Sequence, residues 1–295
     1  TLAIANASTS AAATTITTLT STGSVTGGLS YSGTHAMSIG TLVDNVANLT
    51  LANANTGATG VLTVGTHTNT ATAAGGLTLT GSVAYIGTSA STGAFTVSAG
   101  TDNQNVNWQT AAITQAGVKT VTLGNGTNVV VTGIAADIIS VGTGVNTVTG
   151  AVGGDRITFA SDGVINTVDT AVMSAAGQTV TAASPAAIVS GTTVLAGIDV
   201  ITGLGSGDVI NLAGIQNTYT GATGTTIAAG AANVVSMVRG NFAATGIFTT
   251  SATGTDTLVV YDQDAVATAA TVTEAIILIG TVGAGTVAAG VLTLS

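Results

Sequence analysis

The chain has no cysteine. Disulfides, thiolate metal sites and cysteine nucleophiles are therefore excluded. It has a single proline, Pro185, and only 3 lysines and arginines against 12 aspartates and glutamates. Three cations cannot neutralise a row of phosphates, so no nucleic-acid partner is expected. Anionic membrane surfaces are disfavoured for the same reason. Charged residues make up 5% of the chain, against about 25% in an ordinary domain. No run of about 20 apolar residues escapes interruption by glycine or polar residues, so neither a transmembrane helix nor membrane insertion is expected. The opening TLAIANAS carries no basic region ahead of an apolar one, so no N-terminal signal peptide is expected there.

What remains is threonine, alanine, glycine, valine and serine. Threonine and valine are β-branched and favour strands, and 41 glycines supply turns. A disordered chain would be rich in charge and poor in aliphatics. This one has the opposite balance, so it can bury a core, though one of small side chains. An all-β fold is predicted.

Three zones follow. Residues 1–114 hold only Asp44 and Asp102 as ionised side chains. Runs such as GVLTVGT, GLTLTGSVAYIG and GAFTVSAG read as short strands between glycine-rich turns. Either a sandwich or a solenoid is compatible with them. TLVDNVANLTLANA has room for a helical turn but reads better as strand.

Residues 115–189 contain a nonapeptide repeat. Asn128, Asp137, Asn146 and Asp155 are nine apart. Two places after each stands Val130, Ile139, Val148 or Ile157; two places before stands Gly126, Ala135, Gly144 or Gly153. Upstream, Gly117, Lys119 and Val121 fill the same register with lysine at the Asx position. Downstream, Asp162, Gly163, Asn166 and Val168 continue it with a slip. A fixed short period predicts stacked turns. In a parallel β-roll each nonapeptide makes one turn and one short strand, with the branched residue pointing inward. Successive turns alternate sides, so Asp137 and Asp155 share one edge, and Asn128 and Asn146 the other. The acidic edge has the oxygen chemistry of a hard-cation site. The amide edge suits a metal-free ladder of side-chain hydrogen bonds. A wholly metal-free Asx ladder is the structural alternative for both.

This repeat resembles the calcium-binding G-G-x-G-x-D-x-U-x repeats of RTX proteins, which leave bacteria by a type I route. It departs from them at Ala135 and Ala136, where glycines are usual, and at Asn128 and Asn146, which carry amides. In residues 190–295, GIDVITGLGSGDVINLAGI sets Asp199 and Asp208 nine apart, each followed by Val-Ile. It looks like the segment that closes an RTX roll, with Asn211 where aspartate is common. The residues that follow, including RGNF, GTDTL, YDQD and EAIIL, are similar to C-terminal domains of type I-secreted surface-layer and adhesin-like proteins. The resemblance covers about the last hundred residues well, the repeats loosely, and the first 114 not at all. It implies a β-roll closed by a C-terminal β domain, and an extracellular or cell-surface location. It also implies calcium as cofactor, with Asp137, Asp155, Asp162, Asp199, Asp208, Asp262 and Asp264 as candidate ligands.

Nothing in the sequence recommends an enzyme. His35 and His67 sit in threonine- and glycine-rich stretches and read as lone surface histidines. Asp262 and Asp264 read as a loop cation site or a solvated turn better than as a glycosidase pair. GLGSGD lacks the spacing of a nucleophile elbow, and no G-K-[ST] follows a glycine-rich loop. Trp108 reads as core or edge packing ahead of a sugar-stacking platform. Two functions fit. One is a self-assembling structural protein, a surface-layer lattice or filament with itself as partner. The other is a calcium-dependent adhesin that grips cells or surface polysaccharide.

Overall fold

The computed structural model describes residues 2–6, 14–21, 26–33, 35–45, 48–53, 61–70, 75–81, 83–89, 94–99, 105–110, 114–150, 153–160, 165–169, 190–194, 198–212, 220–224, 234–261, 274–282 and 285–295. Every regular element among them is a β-strand. The chain forms two compact units, Thr1–Ile134 with Ile138–Asn146, and Ala135–Asp137 with Thr147–Ser295.

The first unit is a parallel β-solenoid, which resolves the open choice for residues 1–114. One of its sheets runs in the order β1 (Leu2–Asn6), β3 (Thr26–Gly33), β5 (Asn48–Asn53), β7 (Gly75–Thr80), β9 (Phe95–Ala99), β11 (Lys119–Thr122), β13 (Ile138–Val141). The other runs β2 (Thr14–Ser21), β4 (Met37–Asp44), β6 (Leu62–Asn69), β8 (Val83–Ser89), β10 (Asn105–Thr110), β12 (Asn128–Val131). All these neighbours pair in parallel. The chain thus alternates between sheets, one strand in each per coil, and the coils pass through residue 114 without a break.

Parallel register stacks each residue on its equivalent in the next coil. Leu49, Leu77, Val97, Val121 and Ile139 follow one another in register and are all buried. The alternating sequence places the residues between them outward. Thr50, Thr78, Ser98, Thr122 and Ser140 form such an outer column. Val130 and Ile139 point inward as the nonapeptide pattern predicts. Coil length varies along the unit and is shortest in the nonapeptide zone. Asp44 lies 25 residues from its register partner Asn69. The step is 22 from Asn105 to Thr127 and 18 from Asn128 to Asn146. Where coils are long, aromatic side chains fit inside. Phe95 and Trp108 stack across the interior with ring centroids 6.0 Å apart and planes at 12°. Trp108 is buried, so the core reading of that residue holds.

The second unit turns from parallel to antiparallel pairing. Its first sheet runs β15 (Arg156–Phe159), β18 (Asp199–Thr202), β24 (Glu274–Ile279), β23 (Asp256–Tyr261), β21 (Val234–Phe242), β22 (Ile247–Thr250), β17 (Ser190–Val194). β20 (Thr220–Gly224) also pairs with β21. β15, β18 and β24 are parallel neighbours; from β24 to β17 the order is antiparallel. The second sheet runs β14 (Asn146–Thr149), β16 (Thr167–Asp169), β19 (Val209–Asn211), β26 (Val291–Leu294), β25 (Gly285–Ala288), antiparallel from β19 onward. Leu258, Val259 and Val260 are consecutive and buried, as are Ala275, Ile276, Ile277 and Leu278. Such continuous apolar runs mark strands covered on both faces. Asp256 ties this sheet together. Its carboxylate accepts the Phe242 N–H at 2.8 Å, the Gly280 N–H at 3.0 Å and the Thr255 hydroxyl at 3.2 Å.

The inward and outward columns can be separated by mutating neighbours on one strand. Ile139 is fully buried and Ile138 is 47% exposed. Ile139→Ala is expected to cost about 2–5 kcal/mol in urea unfolding. Ile138→Ala is expected to stay within about 0.5 kcal/mol. Equal losses would contradict the register.

Candidate functional site

In the second unit three aspartates of the sequence-based ligand set stand in file. Asp155 Oδ1 accepts the Asp137 N–H at 2.8 Å, and Asp199 Oδ1 accepts the Asp155 N–H at 2.7 Å. Asp155 and Asp199 therefore each hook the peptide of their predecessor one coil away, and all three residues are fully buried. The second oxygen of Asp155 is buried and makes no hydrogen bond. Burial, followed by the neighbouring charge of Asp199, pushes the Asp155 carboxyl up from 3.8 to about 9; the bond from Asp137 N–H opposes this, and the Asp137 charge adds to it. Low dielectric penalises a charge, and stacked like charges penalise each other. The donor set is all oxygen, as hard cations require. Among the described residues no three acidic, histidine or cysteine groups converge on a single point. The column instead presents one carboxylate per coil. A cation here would draw its remaining ligands from carbonyls and water.

The other Asx positions are satisfied without metal. In the first unit Asn128 Nδ2 donates to Asn146 Oδ1 at 2.8 Å and to the Gly124 carbonyl at 3.1 Å. Asn146 Nδ2 donates to the carbonyls of Gly142 and Gly144 at 2.9 and 2.8 Å. The Asn128 oxygen accepts the Val106 N–H at 3.3 Å. This is the amide ladder that the repeat suggested. Gly144 shows why the turn needs glycine: its φ is +112°, and a Cβ there would lie 2.2 Å from the Gly126 carbonyl oxygen. Lys119, at the first Asx position, is buried and donates from Nζ to the Gly117 carbonyl at 2.7 Å.

Asp208 lies apart from the Asp155 column. Its two oxygens accept the N–H groups of Asn166 at 2.6 Å and Gly205 at 2.7 Å. It closes a turn with its hydrogen bonds already made. Asp162, Asp262 and Asp264 lie outside the described residues.

One reading is corrected. His67 is not a surface histidine. It is 2% exposed and sits inside the solenoid between two polar partners. Its Nε2 bonds Asp44 Oδ2, and its Nδ1 lies 2.5 Å from the Tyr85 hydroxyl. Asn69 Nδ2 donates to the other Asp44 oxygen at 3.0 Å. A neutral imidazole protonated on Nε2 satisfies every member: Tyr85 donates to His67, and His67 and Asn69 donate to Asp44. Burial, then the Asp44 charge, pushes the Tyr85 hydroxyl far above its ordinary range. The relay needs Gly87, because a Cβ there would lie 1.8 Å from the Tyr85 oxygen. Its signal was present in the sequence. MSIGTLVD and LTVGTHTN align residue for residue, which stacks Asp44 on Asn69 and Leu42 on His67. His35 is half-buried.

Outside this relay the sheet surface carries a groove of about 440 Å³, lined in part by Gly65, Ile86, Asn105, Asn107, Thr127 and Val129. A register shift lies beside it. β6 gains one residue on β8 between Val64 and His67. Asn105 and Asn107 project outward from β10, and Asn105 Oδ1 is fixed by the Thr127 N–H at 3.0 Å.

Compared with known proteins, the chain matches no protein-family model, and no curated protein matches its sequence.

Two outcomes follow from the buried polar groups. Without calcium, the raised Asp155 pKa makes the folded state hold a proton that the unfolded chain releases. Its stabilising contribution is complete below pH 3.8 and is lost progressively until pH reaches about 9. Urea midpoints in a chelator should therefore fall more steeply with pH across that window in the native chain than in Asp155→Asn. Parallel curves would refute the assignment. In the relay, Tyr85→Phe removes the donor to His67 Nδ1 while preserving the ring, and should cost about 1–3 kcal/mol in chemical denaturation.

Proposed function

We propose that this protein is an extracellular, self-assembling structural protein, a subunit of a surface-layer lattice or filament, ordered by calcium and exported by a type I route. The observation that carries the assembly reading lies in the outermost coil of the first unit. Ile16 and Leu19 are only half-buried, while their register partners Ile39 and Leu42 in the next coil are buried. β2 contains neither charge nor proline, the usual protections of an edge strand. A second copy seated there would bury these side chains and extend the hydrogen-bond ladder. Each added backbone bond contributes about 0.5–1.5 kcal/mol net, so a few suffice to convert a weak contact into an ordered one. The uncharged outer columns of threonine and serine leave lateral contacts free of charge repulsion.

Calcium enters through the Asp137, Asp155 and Asp199 column. A divalent cation would neutralise carboxylates that burial otherwise forces to keep a proton. The resemblance of the repeats and C-terminal residues to RTX proteins supports both the ion and the export route. No catalytic role is proposed.

Negative-stain microscopy of the full chain, with calcium and with EGTA, tests the reading. Ordered sheets or fibres are expected with calcium and disordered or dissolved material without it. Thr15→Lys combined with Ile16→Lys should remain folded and lose assembly. Monodisperse particles under both conditions would overturn assembly and favour the adhesin alternative.

A further inference from the structure

We propose that the groove over β6, β8, β10 and β12 binds a neutral, hydroxyl-rich ligand, a segment of uncharged polysaccharide. The inference does not depend on assembly, since the groove lies wholly within the first unit.

The lining decides the ligand class. Among the described residues no ionisable side chain faces the groove. The one titratable residue along it, Tyr85, is buried and turns its hydroxyl inward to His67. The nearby Asp44 is also inside, occupied by His67 and Asn69. A phosphate, sulfate, uronate or cationic ligand would find no counter-charge among the described lining residues. The outward polar groups are carboxamides and hydroxyls. A carboxamide offers two donors and an acceptor, and a hydroxyl offers both roles. Sugar hydroxyls need this mixed, uncharged complement. Asn105 is exposed and its orientation is fixed, because its oxygen accepts the Thr127 N–H. Between these groups Ile86, at the middle of β8, is 51% exposed. It supplies an apolar surface for the C–H face of a pyranose ring. Gly65, at the register shift, also lines the groove, and a Cβ there would lie 3.0 Å from the Gly40 carbonyl oxygen.

An extended peptide fits less well. β8 and β10 are central strands, bonded on both sides, so their backbone groups are already used. Strand addition needs a free edge. The volume of about 440 Å³ falls within the usual ligand-site range of about 300–1,000 Å³. With no aromatic ring to stack on, one site binds weakly, and repetition along a polymer or across many copies raises the avidity.

Affinity electrophoresis of the full chain through gels containing dextran, laminarin or galactomannan, with alginate as the charged comparator, tests this. Retardation by at least one neutral polymer is expected, and none by alginate. Isothermal titration with oligosaccharides of the retarding polymer then gives the affinity. Asn107→Ala and Ile86→Ser, both exposed and expected to melt like the native chain, should each lower it about tenfold, or about 1.4 kcal/mol. Ile86→Trp should raise it by adding a stacking ring. The proposal is overturned if no neutral polymer retards the chain, if only alginate does, or if both weakening variants bind as the native chain does.

Discussion

Parallel strands in register place every residue over its counterpart in the next coil, about 4.8 Å away along the hydrogen-bonding direction. Aliphatic residues gain from such stacking, and Leu49, Leu77, Val97, Val121 and Ile139 form a continuous buried column. Asparagines gain too, because a carboxamide both donates and accepts, so Asn128 bonds Asn146 directly. Carboxylates do not. Two unit charges at this spacing repel by about 3 kcal/mol at an effective dielectric of 20, and the lower polarity of a buried site makes the conflict worse. The Asp155 column therefore requires a proton or a cation. The same geometry that makes the fold easy to extend sets the carboxylates of this column against one another.

Coil length sets what the interior can hold. Coils longer than 18 residues enclose Trp108, Phe95, Tyr85 and the His67 relay. Where the coil shortens to 18 residues, the inward positions Val130 and Ile139 are aliphatic. The register shift in β6 belongs to the wider region. It lies in the strand that carries His67 and, on the outer surface, beside the groove that Ile86 lines.

The second unit solves a different problem. Its antiparallel strands are apolar on both faces, and Val238, Phe248, Leu258, Val260 and Ile277 pack into one core. Asp256 is compatible with that core because its carboxylate receives N–H donors from the ends of two other strands.

Strand type, inward positions and the Asx ladder were legible in the sequence because they are periodic. Alternation by two fixes which face is wet, and a nine-residue step fixes which edge an Asx side chain joins. The positions of Val130, Ile139, Asn128, Asn146, Asp137 and Asp155 follow from those periods alone. Asp199 joins the column by register, 44 residues beyond Asp155, where no constant period could place it. The relay escaped for the same reason: Asp44, His67 and Tyr85 are 23 and 18 residues apart, in coils of unequal length. Asp208 shares the nine-residue spacing of Asp199, yet its turn supplies two N–H donors and satisfies it locally. Periodicity determined the local geometry. Only the tertiary structure decided which polar groups meet, because that depends on how much chain each coil consumes before the next strand falls into register.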